Sequence, residues 1–84
     1  MLRYANHLGT YEGETPRDVL QVLHGEALKG WQCSLEEWKE WNRDLWKAQV
    51  NLDLPTGNDP ISEGLFLDGL VRAGVLERRE HVGR

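Results

Sequence analysis

Ser34 followed three residues later by Glu37, heading a stretch that runs to Val50 without Gly or Pro, constrains this chain more than any other feature. A serine hydroxyl at an N-cap accepts from the N3 backbone N–H, and a glutamate at N3 reaches back to the N–H of the cap; the pair predicts a helix over 34–50. At about 100° per residue, Leu35, Trp38, Trp41, Leu45, Trp46 and Ala48 share an arc of about 160°, opposite Glu36, Glu37, Glu40, Arg43, Asp44 and Lys47. An arc that wide can touch two neighbours, which the rest of the chain must supply.

Two further start signals do so. Thr15 as N-cap, Pro16 at N1 and Asp18 at N3 open a helix over 15–29 that Gly30 stops. Val19, Leu20, Leu23 and Ala27 recur along it at helical spacing, Val22 and Leu28 widen the apolar face, and Gly25 weakens it slightly. Asp59 as N-cap with Pro60 at N1 opens a third helix over 59–73 through Ile61, Leu65, Phe66, Leu70 and Ala73. Gly74 is a left-handed stop, and Val75 packs back on Leu70. Residues 75–82 read as a short strand. Residues 51–57 form a loop whose Leu52 and Leu54 tuck under the helices. The N-terminal arm, 1–14, has two readings. Leu2, Ala5 and Leu8 fit a helical turn, whereas Leu2 and Tyr4 fit a brief strand that can pair with 75–82.

The chain has 84 residues, 39% hydrophobic and 29% charged, enough for one core and one domain over 1–84. Cys33 is the single cysteine, so packing alone must hold that core, and a reducing cytoplasm suits it. No apolar run approaches the ~18 residues of a membrane span, and the first residues lack the layout of a signal peptide. The expected fold is mainly α: a compact three-helix domain with a short C-terminal β segment.

Helix, the Gly30 to Cys33 connector, helix, helix, and then the run from Leu70 to Glu80 follow one another in an order that resembles a winged helix-turn-helix domain over 15–84, with a truncated wing. The resemblance implies that 59–73 is a recognition helix, that Leu67 to Arg79 runs from it into the wing, and that Arg72, Arg78 and Arg79 contact phosphates.

Charge favours a different partner. Residues 1–68 carry 6 basic and 12 acidic groups and residues 69–84 carry 4 and 2, so the body is −6 and the tail +2. An acidic body repels phosphate backbones and confines nucleic-acid contact to the tail. The third helix would expose Ser62, Glu63, Asp68 and Arg72, whereas base and phosphate reading favours Arg, Lys, Asn and Gln. Arg72, Arg78, Arg79, His81 and Arg84 read either as a solvated tail interleaved with Glu77 and Glu80 or as a rudimentary wing.

Trp31, Trp38, Trp41 and Trp46 are the four tryptophans. They can fill the core of a small domain, and Trp is also enriched at interface hot spots. Trp41 and Trp46 lie at the margins of the arc, with Trp46, bordered by Lys39 and Val50, expected to be the more exposed. Glu37, Glu40 and Asp44 add an acidic flank that can meet a basic partner. His7, His24, Cys33 and His81 lack metal-site spacing, and the carboxylates of the second helix sit on a solvated face, so neither a metal, a cofactor nor catalysis is expected. Cys33 reads as a small buried hydrophobe. The expected function is a non-catalytic protein–protein interaction module, a small regulatory or accessory protein of bacterial or phage type. Its partner is another protein or a second copy of the chain, and nucleic-acid binding is the alternative.

Overall fold

The computed structural model describes residues 1–26 and 33–79. In chain order they form β1 (Leu2–Asn6), β2 (Gly9–Gly13), α1 (Pro16–Glu26), α2 (Leu35–Val50), α3 (Pro60–Arg72) and β3 (Glu77–Arg78). The three expected helices are present. The expected C-terminal β segment belongs to a three-stranded antiparallel sheet of order β2-β1-β3, so the domain mixes α and β.

Of the two readings of the N-terminal arm, the strand is the one observed. β1 pairs with β2, Tyr4 opposite Tyr11, and with β3, Tyr4 opposite Arg78. Alternation puts Tyr4 and Tyr11 together on the inner face, where both are buried; such aromatic cross-strand pairs stabilise a ladder. Arg3 and Glu12 pair on the outer face. The turn between the strands is closed by Asn6, whose Oδ1 accepts from the Leu8 N–H at 2.8 Å and the Tyr11 hydroxyl at 3.0 Å. Of the expected 75–82, the C-terminal ladder covers Glu77 and Arg78 among the described residues, and the Arg79 N–H adds a bond to the Arg3 carbonyl at 2.7 Å. Residues 80–82 lie outside the described residues.

Each helix starts where the sequence places it. Thr15 Oγ1 accepts from the Asp18 N–H and Asp18 Oδ2 from the Thr15 N–H, both at 3.2 Å. Ser34 Oγ accepts from the Glu37 N–H at 3.1 Å and Glu37 Oε1 from the Ser34 N–H at 3.0 Å, the full capping box. Asp59 Oδ2 accepts from the Ser62 N–H at 3.0 Å. The end of α3 is also as expected. Gly74 has φ +82°, its N–H reaches the Val71 carbonyl at 3.0 Å, and the Val75 N–H reaches that of Leu70 at 3.1 Å, a Schellman ending. Gly30, Ala27, Leu28 and Trp31 lie outside the described residues.

Which faces are buried departs from expectation on all three helices. On α1, Val19, Leu20 and Leu23 are buried, while Val22 faces solvent. On α2 the buried stripe is Leu35, Trp38, Lys39 and Asn42, and Trp41 and Ala48 of the expected arc are exposed. The reason is polar. Lys39 is 0% exposed, its Nζ donating to Asn58 Oδ1 at 2.7 Å and the Gly57 carbonyl at 3.2 Å. Asn42 Nδ2 donates to the Trp38 carbonyl at 2.9 Å. Satisfied in this way, both groups can enter the interior and turn the helix away from its purely apolar arc. On α3, Ile61 and Leu65 are exposed, whereas Glu63, expected at the surface, is 3% exposed. Arg17 Nη1 lies 2.8 Å from its Oε2, and Arg17 Nη2 lies 3.7 Å from Glu36, so one guanidinium ties α1 to the first turns of the other two helices. Ser62 and Asp68 are half-buried and Arg72 is exposed.

The core joins Tyr4 and Tyr11 of the sheet to Val19, Leu20, Trp38, Phe66, Leu67 and Leu76. Trp38 packs on Phe66 at a centroid distance of 5.9 Å and meets His24 edge-on at 6.0 Å. Leu54 is buried and Leu52 packs on the core, as expected of that loop. Leu54 occupies the space that a Cβ on Gly69 would need, whereas nothing lies within 4 Å of a Cβ on Gly25. Gly69→Ala therefore lowers stability by about 1 kcal/mol, overpacking of ~1–3 kcal/mol outweighing the propensity gain of ~1 kcal/mol. Gly25→Ala raises it by ~0.5 kcal/mol, the smaller gain reflecting its place near the helix end. Thermal melts of the two variants, with Gly69→Ala repeated in a Leu54→Ala background where its penalty disappears, check this.

Candidate functional site

Between the hairpin and α2 lies a cleft of about 200 Å³. Trp38, Trp41, Asn42 and Trp46 of α2 line it together with Asn6, Leu8 and Tyr11 of the hairpin, and α1 contributes Leu23 and Glu26. Leu70, Val75 and Leu76, from the end of α3 and the segment after it, complete the lining.

The polar atoms of these walls are mostly bound to one another. Trp46 Nε1 donates to Asn42 Oδ1 at 3.3 Å, the same Asn42 amide donates to the Trp38 carbonyl, and the Tyr11 hydroxyl is held by Asn6. Asn42 thereby fixes the Trp46 indole one turn along the helix. Trp46 is half-buried and packs against the core, and Trp41, at 44% exposure, is the wetter of the two, the reverse of the expected order. Leu8, in the hairpin turn, is 71% exposed. The cleft therefore unites Trp41 and Trp46, as the arc of the helix suggested, with a hairpin wall that no local signal announced.

The acidic flank is less uniform than its sequence implied. Glu37 is committed to the capping box, Asp44 Oδ1 accepts from Arg43 Nε at 3.2 Å, and Glu40 is exposed with no ion pair among the described residues. Glu26, absent from the sequence-based candidates, lines the cleft instead, and its carboxylate has no hydrogen bond or ion pair among the described residues. Only tertiary structure brings it there, because it belongs to α1.

Arg72, Arg78 and Arg79 do not share one strand face: Arg72 ends α3, and alternation sends Arg78 and Arg79 to opposite faces at β3. Arg79 Nη2 lies 3.4 Å from Glu77. His81 and Arg84 lie outside the described residues. His24 Nε2 donates to the Cys33 carbonyl at 2.7 Å, and Cys33 is half-buried. Among the described residues no three His, Cys, Asp or Glu side chains gather as a metal site would require, and no helix is long and apolar enough to cross a membrane. Comparison with protein-family models, with curated proteins and with solved structures finds no match to this chain.

Two capping carboxyls titrate below their ordinary values of 4.5 and 3.8. Glu37 is lowered by hydrogen bonds from the backbone and then the hydroxyl of Ser34, and Asp59 by the same two groups of Ser62. A depressed folded-state value stabilises the fold above the unfolded-state value, and the contribution is lost as pH falls through the folded-state one. Stability should therefore decline below pH 4.5 and further below 3.8 as these caps protonate. The variant Glu37→Gln with Asp59→Asn, which keeps the acceptors and removes their titration, should show a shallower decline in denaturant melts over that range.

Proposed function

We propose that this chain is a non-catalytic interaction module that docks another protein at the cleft headed by Trp41. The observation that carries this reading is the cleft itself: an open apolar recess with exposed Trp41 and Leu8 contributed by separate elements. Partly exposed tryptophans beside a recess are the side chains that dominate binding energy at protein interfaces. At about 200 Å³ the recess is smaller than the ~300–1,000 Å³ of sites for drug-sized ligands, and it suits one inserted side chain. The polar groups of its walls are largely spent on one another, which suits holding more than reacting. The acidic body supports a partner of basic surface, in keeping with a small regulatory or accessory protein.

The test is co-purification of the tagged chain from its native host, with mass spectrometry. A partner retained by the wild type should be lost with Trp41→Ala and with Leu8→Ala, while circular dichroism shows both variants folded. Acrylamide quenching supplies the local control: the readily quenched fraction of tryptophan emission should fall more in Trp41→Phe than in Trp46→Phe. Partner retention by both alanine variants would sink the proposal. A mobility shift of nucleic acid that weakens steeply with salt and disappears in Arg78→Ala and Arg79→Ala would favour the nucleic-acid alternative.

A further inference from the structure

Resting on the interaction reading, we infer that the side chain accepted by the cleft is cationic, an arginine carried by a basic segment of the partner protein. Tyr11, Trp38, Trp41 and Trp46 give the recess four aromatic rings, and Glu26 is the one charged side chain among the described residues that line it. Aromatic π systems attract cations, tryptophan most strongly, and the attraction grows where water is excluded. Glu26 has no partner of its own among the described residues and stands in the last turn of α1, the negative pole of that helix. An aliphatic anchor would use the rings and leave this exposed carboxylate to water. A guanidinium can serve both, stacking its plane on an indole while donating to the carboxylate, and its more weakly held hydration makes it easier to desolvate than an ammonium. The −6 charge of residues 1–68 draws such a segment in from a distance.

The experiment uses the full chain and reads the indole N–H signals by nitrogen-edited NMR during titration. The probes are N-acetyl-arginine-N-methylamide, its uncharged citrulline counterpart of the same length, and N-acetyl-leucine-N-methylamide. The arginine probe should move the Trp41 and Trp46 signals with an affinity about fivefold or more above the citrulline probe, as a cation–π contact requires. Glu26→Gln should weaken the arginine probe by about two- to fivefold and leave the citrulline probe unchanged. Trp41→Ala should abolish the response to arginine. Equal affinity for arginine and citrulline would overturn the inference, as would an arginine affinity indifferent to Glu26→Gln or the lack of any response to arginine. Preferential binding of the leucine probe, lost in Trp41→Ala, would overturn the cationic assignment while leaving the docking cleft intact. Tighter binding of tetramethylammonium chloride than of the arginine probe would overturn the protein source and make the cleft a site for small organic cations.

Discussion

The pairing of β1 with both ends of the chain is the constraint from which the cleft follows. Tyr4 stands opposite Tyr11 on one side and Arg78 on the other, so one short strand holds the hairpin and the segment after α3 in a single sheet. Without the first pairing Leu8 and Tyr11 would have no fixed place, and without the second Val75 and Leu76 would not be brought to α2. The cleft is thus the seam between a sheet and a helix, and its walls come from four stretches of chain that meet only in the folded state. A hairpin extended only by a two-residue third strand is marginal alone, so the helices also stabilise the sheet that completes the site.

Buried polar groups decide which way the helices face. Lys39 and Asn42 lie inside, and each has found main-chain or side-chain acceptors there. Leaving such groups unbonded in an apolar interior would cost roughly 2–7 kcal/mol for the amide and far more for the ammonium, so their bonds are a condition of the packing rather than an addition to it. Lys39 fixes the loop at Gly57 and Asn58, just before α3 begins, in the same stretch that sends Leu54 over Gly69. Glu63 follows the same rule through Arg17. With Lys39 and Asn42 turned inward, Trp41 is rotated out of the core toward solvent.

This explains what could be read from the sequence and what could not. The caps at Thr15, Ser34 and Asp59 and the stop at Gly74 depend on groups within a few residues of one another, and each is seen in the structure. The hairpin has no signal in the sequence, because its turn residues, His7 and Leu8, are not the Asn-Gly or Asp-Gly pairs that announce a two-residue turn. Asn6 does the work from the strand end instead. An apolar arc could identify Trp41 and Trp46 as neighbours of a surface. It could not rank them, because nothing local shows that the Asn42 amide turns inward and holds the Trp46 indole. Glu26 carried no local signal at all, since its significance comes from the rings across the cleft and not from its own helix.

The distribution of satisfied and unsatisfied groups gives the site its chemical character. Asn6, Tyr11, Asn42 and Trp46 use their polar atoms on one another, which holds the rings in place before a ligand arrives and lowers the ordering cost of binding. That economy leaves few hydrogen-bonding groups for recognising a polar ligand, so affinity has to come from shape, aromatic surface and charge. Of these, shape and aromatic surface accept many side chains. Charge is the element that can discriminate, because a carboxylate beside low-dielectric walls favours a cation and penalises an anion more than the same carboxylate in open water. On the proposal of a cationic anchor, selectivity in this cleft falls to Glu26, a residue outside the tryptophan helix.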